Sequence, residues 1–246
     1  MSDASEADAR AARAELEHLL ADRPAALPPD LGEALERYVA LLLEANVRLN
    51  LTRVVEPAAV ARLHLLDSLA ALPLIDELHP RRALDLGSGG GVPGIVLALA
   101  RPDVRWTLVD AAGRKADALR SIAAELRLGN VEVIAERAEL VGRGPSRESF
   151  DLVTARACAA LPVLAEYALP LLAAGGTLVA WKGRISDDEV AAGAAASALL
   201  GGGVPEIRPS GEEALGEHRF VVVAKVGVTP ARYPRRPGQP ARRPLG

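Results

Sequence analysis

The segment LDLGSGGGVPG at residues 84–94 constrains this chain more than any other part of it. It joins a short apolar run, ALDL, to a helical run, VPGIVLALA. Such a strand–glycine–helix junction is the first crossover of an open α/β sheet, and such sheets bind ligands in the crevice beyond their strand ends. Glycines there let the backbone approach a ligand closely and adopt positive φ. Pro93 falls near the first helical turn, where a missing N–H costs nothing.

Two ligand readings fit the turn, and a tight turn with no ligand is the third possibility. Gly89-x-Gly91-x-x-Gly94 matches the dinucleotide fingerprint, with Asp110 ending the next strand where a ribose-binding acid belongs. Asp85-x-Gly87-x-Gly89-x-Gly91 instead resembles the cofactor loop of class I S-adenosylmethionine (SAM) methyltransferases. An acid inside the strand end suits a ligand with a cationic amino group and sulfonium, and would repel a pyrophosphate. Asp110 then serves a ribose diol, because a carboxylate accepts two hydrogen bonds.

Beyond the turn, RWTLVD, GNVEVIA, SFDLVTARA and GGTLVAWKG read as strands separated by helical runs. That alternation predicts a doubly wound, mostly parallel sheet. VPEIRPS and EHRFVVVAKV read as two further strands, and the last is expected to pair antiparallel. No strand signal precedes residue 80. Residues 3–21 read as a solvated helix with a thin stripe of Leu16, Leu19 and Leu20. A proline-rich break follows from Pro24 to Pro29. Asp30 is expected to cap a helix running to about Asn50, and a further helical stretch covers 57–78 with a break at Pro73. The expected organisation is a helical region at 1–79, a Rossmann-like domain at 80–228 and an arm at 229–246.

The chain has 246 residues, enough to bury a core without covalent staples. Its one cysteine, Cys158, and four histidines without i, i+4 pairing argue against a disulfide or a metal centre. Cys158 reads as a small buried apolar residue. No uninterrupted apolar run reaches the ~20 residues of a membrane span. The acidic N-terminal segment is not a signal peptide, so a cytoplasmic location with no membrane partner is expected. Charge is unevenly spread. Residues 1–30 hold seven acids and three arginines, whereas residues 219–246 hold seven basic residues and no acid. The stretch TPARYPRRPGQPARRPLG reads as an extended basic arm suited to phosphates.

Several segments occur together in one order: LNLTRV (49–54), HLLDSL (64–69), DLGSGGGVPGIVLA (85–98), LVDAAGRKADALR (108–120), ARACAAL (155–161) and WKG (181–183). With the Pro/Arg-rich end they resemble the RsmG (GidB) family, bacterial 16S rRNA guanine-N7 methyltransferases. The resemblance covers about residues 30–246. It implies SAM as cofactor, held by Gly87 and Val92 at the turn, by Ala138 and Glu139 after the third strand, and by Arg156 after the fourth. Asp85 and Gly89 from the turn, and Asp110 from the end of the second strand, join them. It implies 16S rRNA, or a small-subunit assembly intermediate, as partner, with guanine 527 the family's site. A monomer is expected. Candidate RNA contacts are Arg53, His64, Lys182, Arg235, Arg236, Arg242 and Arg243, with Asn50 and Asp67 in the same family-like segments.

The chain lacks the Asn/Asp-Pro-Pro-aromatic motif of exocyclic-amine methyltransferases after its fourth strand. Cys158 lacks the setting of a carbon-5 nucleophile. Guanine N7 carries a lone pair and no proton, so no general base is assigned. The other function classes are a small-molecule SAM methyltransferase, an NAD-dependent oxidoreductase and a non-enzymatic RNA-binding module.

Overall fold

The computed structural model describes residues 2–21 and 27–246. The start of the expected break at Pro24 lies outside them. Helix α1 (Asp3–Leu19) is capped by Ser2, whose hydroxyl accepts from Ser5 N at 3.3 Å. It is not a solvated helix. Ala9, Ala12 and Leu16 are fully buried, and the small side chains of the two alanines let α1 lie close against α2 (Pro29–Leu49). Asp30 sits in the first turn of α2 and does not cap it. Pro28 holds the cap position, and Pro29 is preorganised for a helix start. Leu35, Tyr38 and Leu42 face the core as their spacing predicts. Asn50 ends α2 with φ of 48°, the left-handed conformation of a helix terminus.

The next helical stretch opens as α3 (Pro57–Val60), widens into a π turn at Ala61–Leu66 and closes as α4 (Asp67–Leu69). Turns of this kind recur at functional sites. Then α5 (Leu72–Leu78) follows, with Pro73 in its first turn. The whole stretch Pro57–Leu78 is long and apolar enough to cross a membrane by averaged hydropathy, although Arg62, Asp67, Asp76 and Glu77 interrupt it, so no uninterrupted apolar run of spanning length is present there. Here 67% of its most apolar window is buried inside the protein.

Seven strands follow: β1 (Arg82–Leu86), β2 (Arg105–Val109), β3 (Val131–Ile134), β4 (Phe150–Arg156), β5 (Leu172–Lys182), β6 (Glu206–Pro209) and β7 (Arg219–Ala224). They form one sheet in the order β3-β2-β1-β4-β5-β7-β6. The first five pair in parallel and β7 runs antiparallel to both β5 and β6, as the sequence predicts. Crossovers between them are α6 (Gly94–Ala100), α7 (Gly113–Glu125), the short α8 (Ala138–Val141), α9 (Leu161–Ala168) and α10 (Asp187–Leu199).

Alternation along the strands divides the core in two. Trp106, Leu108, Phe220 and Val222 face one side, where the helices of residues 3–78 share a single apolar cluster with α6 and α7. Leu84, Leu86, Val221 and Val223 face the other side, against α9 and α10.

The C-terminal segment is not a free extended arm. Tyr233 and Pro234 are buried, and a short helix, α11 (Gln239–Arg242), rests against α9. The guanidinium of Arg235 grips the carboxylate of Glu166, which is fully buried on α9, at 2.5–3.0 Å through Nε and Nη2. The Arg235 backbone N–H adds a third donor to that carboxylate at 2.7 Å. Arg147 donates to the carbonyls of Tyr233 and Thr229, both at 2.7 Å.

Candidate functional site

A cleft of about 640 Å³ opens at the carboxyl ends of the parallel strands, within the size range of cofactor sites. One wall is the glycine turn after β1: Gly87, Ser88, Gly89, Gly90 and Val92. Gly87 adopts φ of +69° and Gly89 φ of +56°, so both need the freedom of glycine. Val109 O anchors the turn by accepting from Gly87 N at 2.8 Å. From the helical region, the buried Tyr38 hydroxyl donates to Gly90 O at 3.0 Å. Gly87 lines the cleft with its backbone alone, next to the Cys158 side chain. A Cβ added there would stand 3.1 Å from Cys158 Sγ. The turn therefore offers the open backbone surface that a SAM-sized ligand requires.

Two expected ligand residues, Asp85 and Asp110, lie outside the residues that line the cleft. Asp85 lies fully buried beneath the glycine turn. Its Oδ1 accepts from Thr154 Oγ1 at 2.7 Å, while Oδ2 has no partner. A Cβ on Gly94 would come within 2.8 Å of that oxygen. Burial pushes the Asp85 carboxyl up to about 6 despite the hydrogen bond from Thr154. Asp110, at the end of β2, accepts from Gly89 N at 2.9 Å and from Ala112 N at 2.8 Å. It fixes the turn and the start of α7, and each oxygen keeps a further lone pair.

The opposite wall comes from distant parts of the chain. Leu42, Leu51, Thr52, Val54, Leu63, His64 and Asp67 belong to the helical region. Arg156, Trp181 and Lys182 end β4 and β5, and His218 precedes β7. Arg156 knots them together. It donates to Leu63 O and pairs with Asp67 Oδ2 at 3.3 Å. Its Nη2 meets His64 Nδ1, also at 3.3 Å. Asp67 also receives His218 Nδ1 at 3.0 Å, and its carbonyl accepts Trp181 Nε1 at 2.8 Å. Of these residues, sequence reasoning picks out only His64, Arg156 and Lys182 as site residues. Asp67 stands out only through its segment, and Thr52 carries no signal of its own beyond a place inside LNLT.

Two predicted RNA contacts are thus already engaged. His64 is 4% exposed, and burial together with the Arg156 guanidinium pushes it down to about 4, so it is neutral near pH 7. Lys182 pairs with Glu189 at 2.8 Å and donates to Ala159 O. Arg235, committed to Glu166, is a third. Arg53, Arg236, Arg242 and Arg243 are exposed. Ala138 and Glu139 head α8 outside the cleft wall. Glu139 is buried, and its Oε1 accepts from Gly238 N at 2.7 Å, which ties the C-terminal segment to this edge. Cys158, expected inside, is exposed on the loop after β4. Desolvation by its neighbours, with the Asp85 and Asp110 carboxylates, pushes its thiol up to about 11.

Comparison with known proteins agrees with this geometry. The O-methyltransferase TomG from Streptomyces achromogenes, solved with SAM, has the same fold: TM-score 0.52 at 19% identity, over 86% of this chain and 96% of that one. A putative O-methyltransferase from Klebsiella pneumoniae gives TM-score 0.52 at 18% identity, over 87% and 96%. Sequence similarity reaches further. The ribosomal RNA small subunit methyltransferase G of Roseiflexus castenholzii is 45% identical, covering 87% of this chain and 91% of that protein. The proteins of the same name from Chloroflexus aggregans and Deinococcus radiodurans are 46% and 44% identical, covering 85% and 87% of this chain and 88% and 85% of theirs. The model of the GidB family, rRNA small subunit methyltransferase G, matches residues 32–215. The chain belongs to the rRNA small subunit methyltransferase G family, and with it to the SAM-dependent methyltransferases of rRNA.

Proposed function

We propose that this protein transfers the methyl group of SAM to N7 of a guanine in 16S rRNA, guanine 527 in the family's numbering. The observation that carries the reading is the single cleft in which the open glycine turn faces Arg156, His64 and Asp67. Bound SAM supplies an electrophilic methyl on a sulfonium. The protein holds it by Gly87, Gly89 and Val92, with Asp110 steadying the turn for the ribose; Ala138 and Glu139, outside the cleft wall, enter this reading only as the edge beyond β3 towards which the adenine would extend. Arg156 orients the opposite wall.

Two features favour N7 over other targets. The Cys158 thiol, pushed up to about 11, stays protonated near neutral pH and is a poor nucleophile for carbon-5 chemistry. His64 is neutral, with its ring nitrogens engaged by Thr52 and Arg156, so it is not a free base. An N7 lone pair needs neither group, since alignment with the methyl at ~3–3.5 Å supplies much of the catalysis. The exposed Arg53, Arg236, Arg242 and Arg243 are the proposed phosphate contacts. We take the acting species to be a cytoplasmic monomer that meets 16S rRNA free or in a partly assembled subunit.

The test is methylation of 16S rRNA with labelled SAM, mapped by mass spectrometry. One 7-methylguanine is expected, with a single-turnover rate nearly flat between roughly pH 6 and 9. A methyl elsewhere, or a tenfold rise in rate per pH unit, overturns the assignment.

A further inference from the structure

The hydrogen bonds of the opposite wall have an order that their chemistry dictates. A guanidinium only donates, so where Arg156 Nη2 meets His64 Nδ1 the imidazole nitrogen must accept. A neutral imidazole has one N–H, which then lies on Nε2. That nitrogen stands 2.8 Å from Thr52 Oγ1 and must donate to it. The backbone N–H of Val54 also donates to Thr52 Oγ1, at 3.0 Å. Both lone pairs of the hydroxyl are then filled, and its one proton has no acceptor among these partners. Burial and Arg156 together hold His64 down to about 4, which keeps the ring neutral near pH 7, and the Arg156 contact sets its tautomer.

Thr52 lines the cleft beside the glycine turn. Its neighbour Leu51 packs on that turn, since a Cβ on Gly90 would meet Leu51 Cβ at 3.5 Å and Leu51 O at 3.7 Å. Thr52 N is itself pinned, donating to Asn46 Oδ1 at 2.8 Å. The cations Arg156 and Lys115 border the same space. An O–H whose oxygen lone pairs are both occupied can only donate, so it selects an oxygen acceptor and rejects an ammonium; Arg156 and Lys115 in the same lining favour an anionic one, and the Asp67 carboxylate there is already paired with Arg156 and His218.

Resting on the reading of this cleft as the SAM site, we infer that Thr52 is a cofactor-binding residue whose hydroxyl donates to the carboxylate at the methionine end of SAM. The Arg156–His64–Thr52 chain of hydrogen bonds is the device that aims it. The relay explains why a buried, neutral histidine stands in the wall of a site that uses no base.

Calorimetry on the full chain tests this with two probes: S-adenosylhomocysteine, which keeps the carboxylate, and 5′-methylthioadenosine, which lacks the amino-acid end. Thr52→Val should weaken S-adenosylhomocysteine about tenfold and leave methylthioadenosine within about twofold, the effect of one charge-assisted hydrogen bond. Thr52→Ser, which keeps the hydroxyl, should bind both probes like the wild type and serves if the valine variant fails to fold: loss of S-adenosylhomocysteine binding alone in the serine variant overturns the proposal. Equal weakening of both probes by Thr52→Val, or no weakening of either, also overturns it. Unchanged S-adenosylhomocysteine affinity with a raised KM for RNA turns the hydroxyl toward the base and overturns it too. Failure of the wild-type protein to bind S-adenosylhomocysteine overturns instead the reading of the cleft as the SAM site.

Discussion

The two walls of the cleft are built on opposite plans. The glycine-turn wall is contiguous in sequence, consists largely of backbone, and is held by Val109 O, Asp110 and Tyr38. The facing wall consists of side chains gathered from the helical region and from the ends of β4, β5 and the approach to β7, with Arg156 at its centre. The first wall can fail through a single misplaced Cβ. The second can lose a peripheral member such as His218 and keep its shape, because Arg156 and Asp67 at its centre each have several partners.

The largest effect is expected from Gly87→Arg. A side chain at this position of positive φ would enter the cleft beside Cys158, and SAM binding should vanish in calorimetry while the fold persists. The backbone strain alone costs about 1–2 kcal/mol. Retained binding would mean that the turn is not the cofactor wall.

Next comes a contrast between neighbours, Arg235 and Arg236. Arg235→Ala leaves the fully buried Glu166 carboxylate without its guanidinium and should cost about 3–5 kcal/mol in urea unfolding. Arg236→Ala, at an exposed site, should stay within about 0.5 kcal/mol. Equal effects would erase the distinction between a structural and a free arginine.

His64 in the facing wall and Asp85, buried beneath the glycine turn, should also answer pH with opposite signs. His64 is held down to about 4 in the folded protein, against an ordinary value of 6.5. The unfolded chain takes that proton first, so its contribution is whole above pH 6.5 and is lost as pH falls toward 4. Asp85 is held up to about 6 against 3.8, so its contribution is whole below pH 3.8 and is lost as pH rises through 6. Each amounts to something on the order of 3 kcal/mol, and between pH 4 and 6 they offset one another. Relative to wild type, Asp85→Asn should gain stability as pH rises across that window and His64→Gln should lose it. Urea midpoints measured at several pH values check both signs, and parallel curves for all three proteins would contradict them.

The smallest effect concerns the outer surface. Replacing Arg236, Arg242 and Arg243 with Ala should leave SAM affinity unchanged. The log–log salt slope of RNA binding should fall by up to ~0.7–0.9 for each phosphate that these arginines neutralise. An unchanged slope would remove these residues from the RNA interface.

What is legible in the sequence tracks this difference between the walls. The glycine turn, the strand–helix alternation and the antiparallel β7 are local patterns, and all can be read directly. The facing wall depends on long-range pairings such as Arg156 with Leu63 and Trp181 with Asp67, which no local periodicity encodes. Thr52 is invisible for that reason. Charge composition finds the C-terminal arginines but cannot show that Glu166 waits for Arg235 inside the fold. The leucine stripe of α1 suggests a solvated helix, because its close-packed face rests on Ala9 and Ala12, which carry little hydrophobic signal.

The bond from Trp181 to the carbonyl of Asp67 spans 114 residues, and that has a consequence for biosynthesis. A nascent chain that has emerged as far as Phe150 already carries the entire glycine turn and every helical residue of the facing wall. It still lacks Arg156, Trp181 and His218, the members that join that wall to the sheet. The turn is complete early and the vessel around it late, so a truncated translation product retains the most recognisable motif of this protein without a closed place to hold its cofactor.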